Sequence, residues 1–176
     1  MPLAPPRYDR LPTAVISSEL LRGVLRRCGP GVRSVGWPDG PAVRLAVLAP
    51  WSGGGLIAVG LTAAWVWGAL REPGTPLHFS TPGARRPRPE PDGARRVHQY
   101  GIAEEDVVEL ASGRRATSPE RTACDLLSFE PRFEAPLRVA CRLLLSGAGR
   151  RRAARERILS GMPRYRRRAL ARWEAL

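Results

Sequence analysis

The chain holds 176 residues, 43% of them hydrophobic, which suffices for one sizeable domain or two small ones and excludes wholesale disorder. Its 29 basic residues against 16 acidic ones leave a formal net charge of +13, and every basic residue is Arg. Without a Lys the chain builds neither a Walker A phosphate loop from its glycine run Gly53-Gly54-Gly55, nor an acidic-x-Lys nuclease signature, nor a Schiff base.

Residues 1–10 are Pro-rich and read as a disordered lead, without the apolar stretch of a secretory signal. Ile16, Leu20, Leu21, Val24 and Leu25 recur at helical spacing and predict a helix over 13–27, stopped by Cys28-Gly29-Pro30-Gly31. A short strand is expected around Val32–Val35, then a helix over 42–49. Leu56–Leu70 is the most apolar stretch and reads as a buried helix, since Pro50 and the glycines cut it short of the roughly 20 residues that cross a bilayer.

Leu77–Thr81 and Val97–Ile102 are predicted strands. The Pro/Gly-rich segment between them carries Arg85, Arg86, Arg88, Arg95 and Arg96, and suggests a hairpin with a long basic tip. Glu104-Glu105-Asp106 reads as a solvated acidic turn before a strand over 107–110. Ser118-Pro119-Glu120 has the form of a helix start: a capping hydroxyl, Pro at the first helical position and an acid at the positive end. Arg121 and Asp125 lie four apart on that helix, spaced for an intrahelical ion pair, or for Arg121 to organise the turn beneath the hairpin. Phe133, Leu137, Cys141, Leu144 and Leu145 stripe the next helix.

Residues 150–176 differ in kind, with ten Arg and two Glu. Two short helices are expected, split at Gly161-Met162-Pro163, with Tyr165, Ala169, Trp173 and Leu176 as their apolar face.

Cys28, Cys124 and Cys141 are too far apart in sequence for a zinc motif and fit a reducing cytoplasm. His78 and His98 lack a third ligand at metal spacing. No metal, cofactor or small-molecule substrate is expected, no membrane contact, and no catalytic residue. A nuclease would have to rest on Asp106 or Asp125.

Two segments carry a family resemblance. Thr62-Ala63-Ala64-Trp65-Val66-Trp67-Gly68-Ala69-Leu70 is similar to the Ser/Thr-Ala-Ala, aromatic or His, Gly-Leu helix of AbiEi-family antitoxins. Arg114-Arg115-Ala116-Thr117-Ser118-Pro119-Glu120-Arg121-Thr122-Ala123-Cys124-Asp125-Leu126 resembles their Val-Thr-Ser/Thr-Pro-x-Arg-Thr-x-x-Asp-Leu segment. The likeness spans roughly residues 11–145. It implies an N-terminal winged helix that binds DNA and represses its own operon, and a C-terminal domain that counters a nucleotidyltransferase-like toxin. The N-terminal part departs from that pattern, offering one helix and one strand without a separate recognition helix.

The resulting expectation is an α+β protein. It comprises the lead, a reduced winged-helix-like segment over 11–50, an α+β core over 51–130 with a small mixed or antiparallel sheet and a basic hairpin, and a helical Arg-rich region over 131–176. Function is expected to be non-enzymatic regulation by binding nucleic acid, DNA ahead of RNA. Guanidinium forks onto phosphate and keeps its charge at all relevant pH. The contact residues are expected to be Arg85, Arg86, Arg88, Arg95 and Arg96, together with Arg150, Arg151, Arg152, Arg155, Arg157, Arg164, Arg166, Arg167 and Arg168. The alternative is a protein-interaction antitoxin whose arginines meet an acidic toxin face.

Overall fold

The computed structural model of the chain describes residues 4–83, 93–110, 113–161 and 163–176. Helix α1 (Thr13–Leu21) ends before Gly23, which sits at φ +74°. The chain then forms β1 (Leu25–Cys28) and β2 (Gly31–Ser34), paired antiparallel from Leu25↔Ser34 to Cys28↔Gly31. The helix expected over 13–27 is thus broken in two. Its Leu25 belongs to a strand because Leu25 and Cys28 turn inward onto the core while Arg26 and Arg27 stay outside.

Gly29-Pro30 is a two-residue hairpin turn with its glycine at φ +52°, a positive-φ position where β-carbons are disfavoured. A Cβ on Gly29 would lie 2.6 Å from Trp65 Cζ2, so only glycine lets the hairpin tip rest on that indole. Before the hairpin the described residues hold the single helix α1, not a helix–turn–helix pair. Pro5 is buried, and residues 6–9 line a groove with α1, the hairpin and helix α2 (Pro41–Val47).

The apolar stretch 56–70 is not one helix. Ile57–Ala58 is strand β3, and only Gly60–Val66 is helix, α3. Both strand residues are buried, and Gly60 at φ +53° turns the chain from one element into the other. A strand buried on both faces is a continuous apolar run, so periodicity cannot separate it from a helix.

β3 is the centre of a five-stranded mixed sheet that includes β4 (Leu77–Ser80), β5 (Arg95–His98), β6 (Val107–Leu110) and β7 (Arg114–Thr117), in the order β5-β4-β3-β7-β6. β3 runs antiparallel to β4 and parallel to β7, and β6 and β7 are antiparallel. β4 and β5 are parallel, with Leu77↔Arg95 and Ser80↔His98 in register. They therefore enter the sheet from the same end, and the expected basic hairpin is not formed. β7 carries no strand signal in the sequence, because its Arg114-Arg115 start reads as loop.

Helices α4 (Pro119–Phe129), α5 (Ala135–Leu144), α6 (Arg150–Ser160) and α7 (Pro163–Trp173) complete the chain. α4 is the hub, packed against α3, α5, α6 and α7. Its Leu126 and Leu127 are fully buried, each contributing about 1.5–3 kcal/mol by leaving water. α3 joins two cores. Ala64 packs into the helical cluster around α4, while Trp65 and Val66 pack with Leu45, Leu48 and Phe79 between the sheet, α2 and the hairpin. Ala154, Ile158, Ala169 and Trp173 are buried in the helical cluster, so the Arg-rich end is part of the globule.

Candidate nucleic-acid interface

The two sequence segments singled out above meet in space. Trp67 Nε1, at the end of α3, donates to the carbonyl of Thr117 at 2.8 Å. Thr117 and Thr122 share a buried hydroxyl contact of 2.8 Å, and Ser118 caps α4 by accepting from Arg121 N at 3.2 Å. Thr62 Oγ1 donates to Pro73 O and accepts from His78 N, both at 2.8 Å, which ties the start of α3 to β4. These hydroxyls satisfy backbone groups that would otherwise be buried unpaired.

Beneath the cap lies a buried ion-pair network. Arg121 Nε donates to Asp125 Oδ1 at 2.8 Å along the helix, and its Nη1 reaches Asp106 Oδ2 at 3.0 Å. Arg157, on α6, donates through Nη1 to the same Asp106 Oδ2 at 2.6 Å and pairs through Nη2 with Oδ1. Tyr100 Oη donates to Asp125 Oδ2 at 3.3 Å, and Arg121 lies over the Tyr100 ring at 5.4 Å. Asp106 is 1% exposed, so the acidic cluster is not the solvated turn expected. Glu104 and Glu105 do face water, but Asp106 points inward to receive two guanidiniums.

Burial pushes the Asp125 carboxyl up to about 6, against the pull of Arg121, and pushes the Tyr100 phenol up as well. Burial also pushes Cys124 and Cys141 up to about 12, leaving both as inert thiols. The geometry of this network locks α4, α6 and the turn before β6 together. Among the described residues no group of three or more His, Cys, Asp or Glu side chains is placed to hold a metal ion.

The structure sorts the expected contact arginines. Arg85, Arg86 and Arg88 lie outside the described residues, as does the Arg164 side chain. On edge strand β5, Arg96 is exposed, whereas Arg95 turns in and its Nη1 donates to Trp51 O. In the tail, Arg157 is taken up by Asp106, and Arg150 Nε pairs with Glu120 at 3.0 Å. Arg166 Nη2 donates to Gly161 O at 2.8 Å.

Arg168 reaches the carbonyl of Ser128 at 3.4 Å, beside Arg172 on Leu127 O at 2.9 Å. These two cations sit at the negative end of α4, where they are favourable. Arg151, Arg152, Arg155 and Arg167 remain exposed. Arg151 lies over the Trp173 ring at 5.2 Å, and Arg152 makes only a loose 3.9 Å approach to Glu156. Sequence reasoning passed over exposed Arg26 and Arg27 of β1, since a predicted helix hid their place on a hairpin. It also passed over Phe129, which stands 40% exposed at the end of α4.

A small mixed sheet, a capped hub helix stapled by a buried Arg–Asp network, and a helical end with guanidiniums outward define a compact α+β protein whose exposed chemistry is cationic. The family model described as the AbiEi antitoxin C-terminal domain matches residues 56–172, and the chain belongs to that family. The match takes in β3, both motifs and most of α7. No curated protein and no solved structure matches the chain. Among the described residues no helix is long and apolar enough to cross a membrane.

Proposed function

We propose that the chain is a non-enzymatic, cytoplasmic regulator of the antitoxin type, which binds nucleic-acid backbone, DNA foremost, through the outer faces of α6 and α7. One observation carries this reading. Arg151, Arg152, Arg155 and Arg167 stand exposed on two helices that pack together, while the arginines that stabilise the fold point elsewhere. Their helices are already ordered by the core, so meeting phosphate costs side-chain rotamer freedom but no backbone ordering. Arg96 extends the same chemistry to the edge of the sheet. The β1–β2 hairpin, with Arg26 and Arg27 outward, is the part of a winged helix that the chain retains. Contacts of this kind position a protein on the backbone and carry little sequence information.

A salt titration by gel shift tests the reading. Each phosphate neutralised on duplex DNA contributes a slope of about 0.9 in log affinity against log salt. Changing Arg151, Arg152 and Arg155 together to Ala is expected to flatten that slope by about 2–3 and to weaken binding at low salt. An unchanged slope and affinity would remove this face from the interface.

A further inference from the structure

We propose that the cleft between α4, α6 and α7 seats one unpaired nucleotide, its base against Phe129 and its phosphate on Arg166. The inference rests on the reading that the neighbouring outer faces of α6 and α7 meet nucleic acid, and adds a cleft beside them that takes an unpaired nucleotide.

The cleft has a volume of about 290 Å³, and its lining includes Phe129, Tyr165, Arg157, Arg166, Ser128 and Ser160. That is the scale of a single small ligand and far from that of a double helix. Phe129 is the telling residue. The Tyr165 ring packs edge-on against it at 4.8 Å and Tyr100 lies at 5.8 Å, yet the side chain is 40% exposed. A large aromatic held by neighbours and still open to solvent is a platform whose rotamer is already fixed. Stacking a base on it therefore costs the protein little further side-chain freedom.

The cationic partner is adjacent. Arg166 commits Nη2 to Gly161 O at 2.8 Å, and its Nε is buried without a protein partner. Arg157 lines the same cleft from α6, anchored on Asp106. An aromatic face beside guanidiniums is what a single strand requires, because each base offers a π-face and each phosphate a charge. A base inside a duplex cannot reach Phe129 without leaving its stack. The shared chemistry is a nucleoside monophosphate unit, taken either free or within a strand.

The test uses the full chain and fluorescence anisotropy with a short oligo(dT) strand and a duplex of equal phosphate count. Phe129→Ala is expected to weaken single-strand binding about tenfold or more, since stacking carries that much per base. Duplex binding should stay within about twofold because backbone charge is untouched, and that retained affinity also reports a folded variant. If Phe129→Ala does not fold, Phe129→Leu replaces it, keeping the apolar contacts without a stacking face. Phe129→Tyr should restore strand binding.

Thymidine monophosphate as competitor separates the two sources. Displacement at millimolar concentration identifies a cleft that accepts the free nucleotide. Selective loss in the Phe129 variant without displacement identifies one that needs the strand. Equal effects on strand and duplex, or none on either, overturn the proposal and leave the backbone reading standing. Failure of the unaltered protein to bind either nucleic acid overturns both.

Discussion

Arg155 and Arg157 lie two residues apart on α6 and have opposite fates. Arg155 projects into solvent. Arg157 turns onto Asp106, 51 residues away in sequence, and shares that carboxylate with Arg121. Residue type is identical and so is formal charge, and only the helical phase differs. The comparison shows that a run of arginines is two populations, one stapling the fold and one displayed. Net charge alone overstates the second.

The largest expected effect comes from removing the shared acid. Asp106→Ala leaves the mostly buried Arg121 with Asp125 as its remaining acid and the partly exposed Arg157 with none, and should cost about 3 kcal/mol of unfolding free energy. Urea denaturation measures it, and a loss near that of an average surface change would mean the network is not stabilising. Arg157→Ala should cost about 2 kcal/mol, less because Arg121 still partners Asp106, while leaving the salt slope of duplex binding unchanged. Arg155→Ala should invert that outcome, with stability unchanged within about 0.5 kcal/mol and the slope reduced by about 0.9. If both variants behaved alike, the division into two populations would fail.

A pH-dependent effect lies away from the arginines, in the sheet. Burial lowers His78 to about 4, helped by neighbouring His98 at 5.1 Å and by Arg96. A base depressed in the fold stays neutral while the unfolded chain takes up its proton. Stability from this source is therefore complete above the unfolded value of about 6.5 and falls as pH drops from there toward 4. For a half-buried group, screening limits the loss to about 1–2 kcal/mol. His78→Gln should flatten thermal stability over that window, and an unaltered profile would place the acid sensitivity elsewhere.

Local signals proved the most legible part of the sequence. Ser118-Pro119-Glu120 announced the start of α4, and the cap forms as its chemistry requires. Phe133 through Leu145 marked α5 by period, and the glycine and proline near 161–163 separated α6 from α7. Elements whose identity depends on distant partners were hidden. Ile57-Ala58 is a strand only because β4 and β7 flank it, and Leu25–Cys28 only because β2 folds back on it. The parallel pairing of β4 with β5 has no local signature at all. At the candidate interface, sequence supplied the pool of arginines, but nothing near Asp106 revealed that Arg121 and Arg157 would converge on it. Phe129 escaped notice because a terminal helix aromatic is ordinarily core.

The arginine-bearing helices are also load carriers, since Ala154, Ile158, Ala169 and Trp173 anchor them in the hydrophobic interior. A polyanion that binds their outer side more tightly than it binds the unfolded chain therefore opposes the opening of that interior. Occupancy and lifetime become linked: a ligand at 100 times its dissociation constant adds about 2.7 kcal/mol against unfolding. Vacant molecules would be digested first by a protease that attacks opened chains, so the supply of this protein would track how much polyanion is present.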